Sequence, residues 1–265
     1  MRLLDADRAR PAVEAVYDGV RRTRTGWPRR TTPLWDVRLY DEPRIRDGAT
    51  ALRHAVHHDV DGTPTGYALY RLKSAARQAF SGNGDAGGGT VRVVELAAAS
   101  PQAYARLWGH LIGVDLFDRL THEGAVDEAL PYLLRDPRAL RSTVVDRLWV
   151  RLVDVARALA ARPYAAPVET VIEVEDAFCP WNTGRYLLRA GAGRPALCER
   201  IDREAELALP VADLGSAYLG GTALASLAGT GRVRESRPGA LAALDAALRV
   251  EGAPFCPGGE SFPVY

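Results

Sequence analysis

Residues 90–115, TVRVVELAAASPQAYARLWGHLIGVD, decide the fold. Val91, Val93 and Val94, followed by Glu95 and Leu96, are strand formers preceded by a glycine run. Ser100 is a good N-cap, and Pro101 suits the first helical position, where its missing N–H costs nothing. Tyr104, Leu107, Trp108 and Leu111 fall at i, i+3, i+4 and i+7, so one helical face is buried. The stretch predicts a strand running straight into a helix. Many α/β enzymes bind a pyrophosphate at such a turn, using glycines for close approach and free N–H groups at the helix start. Here the turn is Ala97, Ala98, Ala99, Ser100, Pro101, Gln102, with no glycine and with a proline that removes a donor. The architecture of a cofactor site is predicted without its chemistry.

Upstream, a helix is expected over Asp7–Thr23, with Val13, Val16, Tyr17 and Val20 as its apolar stripe. A loop holding Trp27, Pro28, Pro33 and Trp35 follows, then a short element around Val37–Tyr40. Leu52–His58 and Gly66–Leu72 read as two strands joined by the polar turn DVDGTPT, a strong hairpin signal. Residues 74–89, ending in SGNGDAGGG, read as a mobile loop. Downstream come a strand near Arg119–His122, a helix near Val126–Leu134, and two strands across Arg141–Val153 split near Asp146.

A second unit is expected from residue 155. VARALAARPY is a short helix, and ETVIEVEDAF, GRYLLRA, PALCERI and AELALPV read as four strands. Helices near Val211–Leu219, Thr222–Ala228 and Pro238–Leu248 complete it. Strands followed by clustered helices suggest an α+β layer with helices on one face. The predicted organisation is α/β over residues 1–154 and α+β over 155–265.

Formal net charge is +1, with 34 basic and 33 acidic residues, so nothing steers the chain towards nucleic acid or acidic lipid. Lys73 is the sole lysine, which reads as base-composition bias before phosphate recognition. Cys179, Cys198 and Cys256 form neither a CxxC pair nor a disulfide framework, which suits a reducing compartment. No stretch is apolar enough to span a bilayer and MRLLDADRAR has no signal-peptide core, so a soluble cytoplasmic protein is expected.

Gly82–Gly87, GNGDAG, matches GxGxxG but precedes a strand instead of following one, so a flexible loop is favoured over a phosphate site. His54 and His58 share a strand face but lie about 13 Å apart, and His57 points the other way, so no metal site is expected. Cys179 in FCPWN has no evident histidine partner and reads as a structural cysteine. Phe255, Phe262, Val264 and Tyr265 make the chain end unusually apolar. A docked end would place the α-carboxylate of Tyr265 where desolvation raises its pKa above about 3.5. A tail packed merely to cover core is the simpler alternative.

GYALYRLK, VRVVELAAASPQAYARLW and DRLWVRLVDVARALAARPY resemble, in order, the central region of the Eis-type (enhanced intracellular survival) N-acetyltransferases. DAFCPWNTGRYLL, LPVADLGSAYLGGTALASLAGTGRV and ESRPGALAALDAALR resemble their C-terminal region. The resemblance implies a degenerate GNAT-like (acyl-CoA N-acyltransferase) mixed sheet followed by a sterol-carrier-protein-like domain. It implies acetyl transfer from acetyl-CoA to primary amines of aminoglycosides or lysine-like substrates, within a homo-hexamer. In that family a separate N-terminal GNAT domain binds acetyl-CoA and supplies a tyrosine general acid. This chain starts about where the central domain would start, so it is expected to bind no acetyl-CoA, to need a GNAT domain or subunit as partner, and to be inactive alone. The family's C-terminal carboxylate deprotonates the amine, a role that falls on Tyr265; Val264, Tyr265 and Trp35 are the substrate-binding candidates. The PGGES run and Val264 beside the terminus depart from the family pattern. The rival expectation is a non-catalytic hydrophobic-ligand carrier or scaffold of sterol-carrier type.

Overall fold

A computed structural model describes residues 1–74, 88–191 and 194–258. Among the described residues two compact units form, Met1–Val145 with residues 255–258, and Asp146–Pro254.

The first unit opens with β1 (Arg2–Leu4), which sequence reading missed because three residues carry no pattern. α1 (Ala6–Val20) follows, its first turn capped by Asp5, whose carboxylate accepts from the Arg8 N–H at 2.9 Å. The element expected at Val37–Tyr40 is the end of a helix, α2 (Thr32–Leu39), started by Pro33. β2 (Arg53–His58) and β3 (Pro64–Lys73) form the expected hairpin. Its turn is held by Asp59, whose Oδ1 accepts from Asp61 and Thr63, and by Gly62 at φ +82°.

β4 (Gly89–Ala98) and α3 (Pro101–Ile112) are the predicted strand and helix. Beyond them lie β5 (Phe117–Thr121) and α4 (Leu130–Leu133), one turn where a longer helix was expected from residue 126. The strands expected over residues 141–153 are not formed; those residues hold no strand partner among the described residues. Their valines satisfy strand propensity, but a strand exists only where a neighbour takes its hydrogen bonds.

The first sheet has the order β1-β2-β3-β4-β5, antiparallel except for the parallel β4–β5 pair. Successive side chains feed opposite layers, as strand geometry requires. Val56, Tyr67 and Leu69 meet Ala9, Val13, Val16 and Tyr17 of α1. Ala55, Ala68, Tyr70, Val91 and Val93 meet Leu107, Trp108 and Leu111 of α3. The result is a mixed sheet between helices, with β4 covered on both faces.

The second unit runs α5 (Val155–Ala161), β6 (Val168–Glu175), β7 (Gly184–Gly191), β8 (Arg194–Arg200) and β9 (Leu207–Pro210). α6 (Val211–Tyr218), α7 (Leu224–Ala228), β10 (Arg234–Glu235) and α8 (Ala240–Leu248) complete it. The sheet order is β10-β9-β6-β7-β8, with β6 and β9 parallel. Register aligns Ile172 with both Tyr186 and Leu207, and Leu188 with Cys198, so these side chains share one face. That face packs on Val155, Leu159, Leu214, Leu224, Leu244 and Leu248, placing the helices on one side as expected. No helix among the described residues is long and apolar enough to cross a membrane.

Candidate functional site

The C-terminal half of β4 is where an α/β ligand site would form. β5 ends at Thr121, opposite Arg92, so β4 runs on past its parallel neighbour from Val93 to Ala98. Ligands of open α/β sheets bind outside the carboxyl ends of strands, where neighbours diverge. A β-bulge sits just past the end of that pairing: Leu69 faces Glu95 and Tyr70 faces Val93, leaving Val94 as the extra residue. The Val94 carbonyl accepts a hydrogen bond from Arg38 Nη2 at 2.6 Å.

Beside the bulge lies a buried ion cluster that sequence reading missed. The Glu95 side chain is 2% exposed, and Arg30 grips it with two parallel bonds, 2.8 Å to Oε1 and 2.6 Å to Oε2. Arg38 reaches Oε2 at 2.9 Å, and the Tyr67 hydroxyl donates to Oε1 at 2.5 Å. Burial pushes the Glu95 carboxyl up, but hydrogen bonds from Arg30 and Tyr67 and the charges of both arginines outweigh it, leaving the group below the ordinary carboxylate range. Burial, with the Glu95 charge and hydrogen bond, drives the Tyr67 hydroxyl far above its ordinary value. The available signal was Glu95 itself, a carboxylate flanked by Val93, Val94 and Leu96. Its partners sit too far back in the chain to be paired by inspection.

Trp35, a substrate-binding candidate, is buried in α2. Its ring lies 4.7 Å from the Arg30 guanidinium, which also lies 4.1 Å from the Tyr17 ring. Trp35 and Arg30 form part of the wall of an open groove of about 510 Å³ along α1, with Asp18, Arg21, Arg22 and Arg29. Asp18 is shared by Arg21 and Arg22, whose hydrogen bonds hold its carboxyl below the ordinary range.

At the start of α3 the donors are almost all used. Pro101 has no N–H, the Ala103 N–H is taken by Ser100 Oγ at 3.2 Å, and the Tyr104 N–H bonds the Ser100 carbonyl at 3.0 Å. Only the Gln102 N–H of the first turn has no partner in the described chain. A pyrophosphate needs several converging donors there. These residues do not fit the diphosphate of a nucleotide cofactor. Farther along the helix, the Tyr104 hydroxyl donates to Glu128, and His122 lies 3.9 Å from the other carboxylate oxygen. Burial pushes Glu128 up, yet the His122 and Tyr104 hydrogen bonds and nearby positive charge bring it below the ordinary range.

The tail candidates Val264 and Tyr265 lie outside the described residues, as do Gly82–Gly87 and the run from Gly259. The chain end is described as far as Gly258. The Phe255 ring lies 5.9 Å from Trp27, and its N–H bonds the Thr25 carbonyl at 2.9 Å. Cys179 and Cys198 are buried, and burial pushes the Cys198 thiol up to about 12, which makes it a poor nucleophile. His54 is buried in β2, while His57 Nδ1 lies 2.8 Å from Thr65 Oγ1.

Comparison with known proteins adds a family to this geometry. A family model described as an acetyltransferase (GNAT) domain matches residues 26–152, and a sterol carrier protein domain matches residues 155–257. An uncharacterized N-acetyltransferase of Streptomyces coelicolor is 45% identical over 256 residues, covering 94% of this chain and 58% of the relative. The N-acetyltransferase Eis of Mycobacterium tuberculosis is 35% identical over 252 residues, covering 94% of this chain and 57% of the relative. The crystal structure of the Eis protein of Mycobacterium abscessus superposes with a TM-score of 0.76 at 33% identity, covering 98% of this chain and 62% of that one. The chain thus spans under two thirds of the length of these relatives.

Proposed function

From the fact that this chain belongs to the Eis-type GNAT N-acetyltransferase family, we propose that it is the GNAT-like and sterol-carrier-like portion of an enzyme acetylating primary amines, with aminoglycosides or lysine-like amines as its substrate class. In this reading acetyl-CoA is held by a GNAT region outside the chain. The observation that carries the reading is the state of the β4–α3 turn, where Ser100 takes the Ala103 and Tyr104 N–H groups, Pro101 has none to give, and Arg38 takes the bulge carbonyl. A fold of the family that satisfies its own cofactor-site groups serves as scaffold, not as the acetyl-CoA site.

Attack by an amine requires a base near the nucleophile, a contribution typically of about 10²- to 10⁴-fold. The α-carboxylate of Tyr265 is assigned that part, and desolvation would raise its pKa towards a useful value. Val264 is assigned an apolar contact to the substrate, and Trp35 enters through the groove it lines. The working form is a homo-oligomer, a hexamer if it follows the resemblance.

The test is acetyl transfer to lysine and to an aminoglycoside, by the chain alone and with the remaining region of a full-length relative supplied in trans. The chain alone should show no turnover; robust turnover would overturn the division of labour. In the reconstituted enzyme, converting the α-carboxylate of Tyr265 to a carboxamide should lower kcat by about 100-fold or more. An unchanged kcat would remove the carboxylate from the mechanism.

A further inference from the structure

In the second unit the loop after β6 is pinned from inside. The buried Asp176 carboxylate accepts the N–H groups of Phe178 at 3.1 Å and Cys179 at 2.9 Å, and Nδ2 of Asn182 at 3.0 Å. Arg151 pairs with it at 2.5 Å. Burial pushes Asp176 up, but these bonds bring its pKa down to about 2. Asn182 also ties the loop to the chain before α5, accepting from the Val155 N–H and donating to the Leu152 carbonyl, each at 3.1 Å. Trp181 Nε1 donates to the Val153 carbonyl at 2.9 Å.

These bonds turn the loop's polar groups inward and its rings outward. Phe178 is 83% exposed and Trp181 62% exposed. On the tethered segment Trp149 is 81% exposed, with Leu148 and Val153 also outside, while Leu152 is buried. The main-chain N–H and C=O groups of residues 148–150 bond no other described residue, although LWVRLV is strand-forming sequence. An exposed aromatic patch beside an extended segment with unpaired main-chain groups has the composition of a protein interface, where Trp, Phe and Arg are enriched. Arg151 completes it, its guanidinium 5.2 Å from the Phe178 ring. Exposed apolar surface of this kind suits a permanent partner better than a transient one.

We propose that Leu148–Val153, with Phe178 and Trp181, is the docking surface for the further region carried by full-length members of the family, which adds a strand along residues 148–150 and covers the aromatic rings. The inference rests on reading the chain as part of such a protein. More than two fifths of the Streptomyces coelicolor relative lies outside its match to this chain, enough for a complete domain.

The experiment co-expresses the 265-residue chain with that outside region of the Streptomyces coelicolor relative. Purification and hydrogen exchange then read out the complex. The expected result is a one-to-one complex in which the amides of residues 148–150 exchange at least tenfold more slowly than in the chain alone. A Trp149→Ser and Phe178→Ser double variant should keep its own unfolding midpoint and lose at least nine tenths of the complex. A complex indifferent to the double variant, with exchange at 148–150 unchanged, overturns the docking surface and leaves the functional reading standing. No complex at all overturns the functional reading and the docking surface with it. Sedimentation of the chain alone should be the same for the native chain and the double variant. A self-associated form that the double variant dissolves would assign the surface to a second copy instead.

Discussion

Residues 90–98 and 143–153 are both rich in valine and leucine, and both read as strands, yet only the first becomes one. β4 is paired along β3, shares its start with β5 and is covered by α1 on one face and α3 on the other. The second stretch has no strand neighbour among the described residues and leaves Val144, Val145 and Trp149 exposed. Strand propensity is a fit to a pleated, half-buried surface and has no effect until that surface exists. In β4 the surface is supplied by the chain itself; residues 143–149 have no such surface among the described residues.

The difference is tested most severely at Glu95, which anchors β4 to the loop and helix that precede β2. Glu95→Ala strands two arginines in the interior and should destabilise the first unit by about 3–5 kcal/mol, read from urea unfolding. A loss near zero would mean that the cluster does not hold the strand. The same carboxyl gives a pH signature. Its folded pKa is depressed, so its contribution to stability is present above the ordinary carboxylate value, about 4.3, and is lost as pH falls through the lower folded value. Thermal midpoints from pH 7 to pH 3 should therefore fall more steeply for the native chain than for Glu95→Gln.

Smaller effects sharpen the comparison. Ser100→Ala removes the side-chain cap that starts α3 directly after β4 and should cost about 1 kcal/mol. In the unpaired stretch Trp149→Ser should change the stability of the chain alone by no more than about 0.5 kcal/mol, because its ring packs into nothing the chain provides. A cost near that of a core aromatic would show that the Trp149 ring is packed against the chain.

What could be read from sequence follows the range of the interaction that decides it. The hairpin at residues 59–63, the Ser100-Pro101 helix start and the helical stripe of α3 are local signals, and each is realised. The helix–strand order of the second unit was legible for the same reason. β1 was missed because it is a three-residue edge. The strands at 141–153 were expected because propensity is visible in sequence and the missing neighbour is not. Within the candidate site, the glycine-free turn was legible as unsuited to a pyrophosphate, while Arg30, 65 residues before Glu95, was not foreseeable as its partner.

The central claim is that the GNAT-like unit satisfies its own strand–turn–helix groups and leaves acetyl-CoA to another region. Calorimetric titration of the pure chain with acetyl-CoA tests it most directly. The account predicts no heat of binding up to millimolar ligand and no shift in the unfolding midpoint. Binding at micromolar concentration would contradict it, and would mean that Ser100 and Arg38 yield their hydrogen bonds to a cofactor.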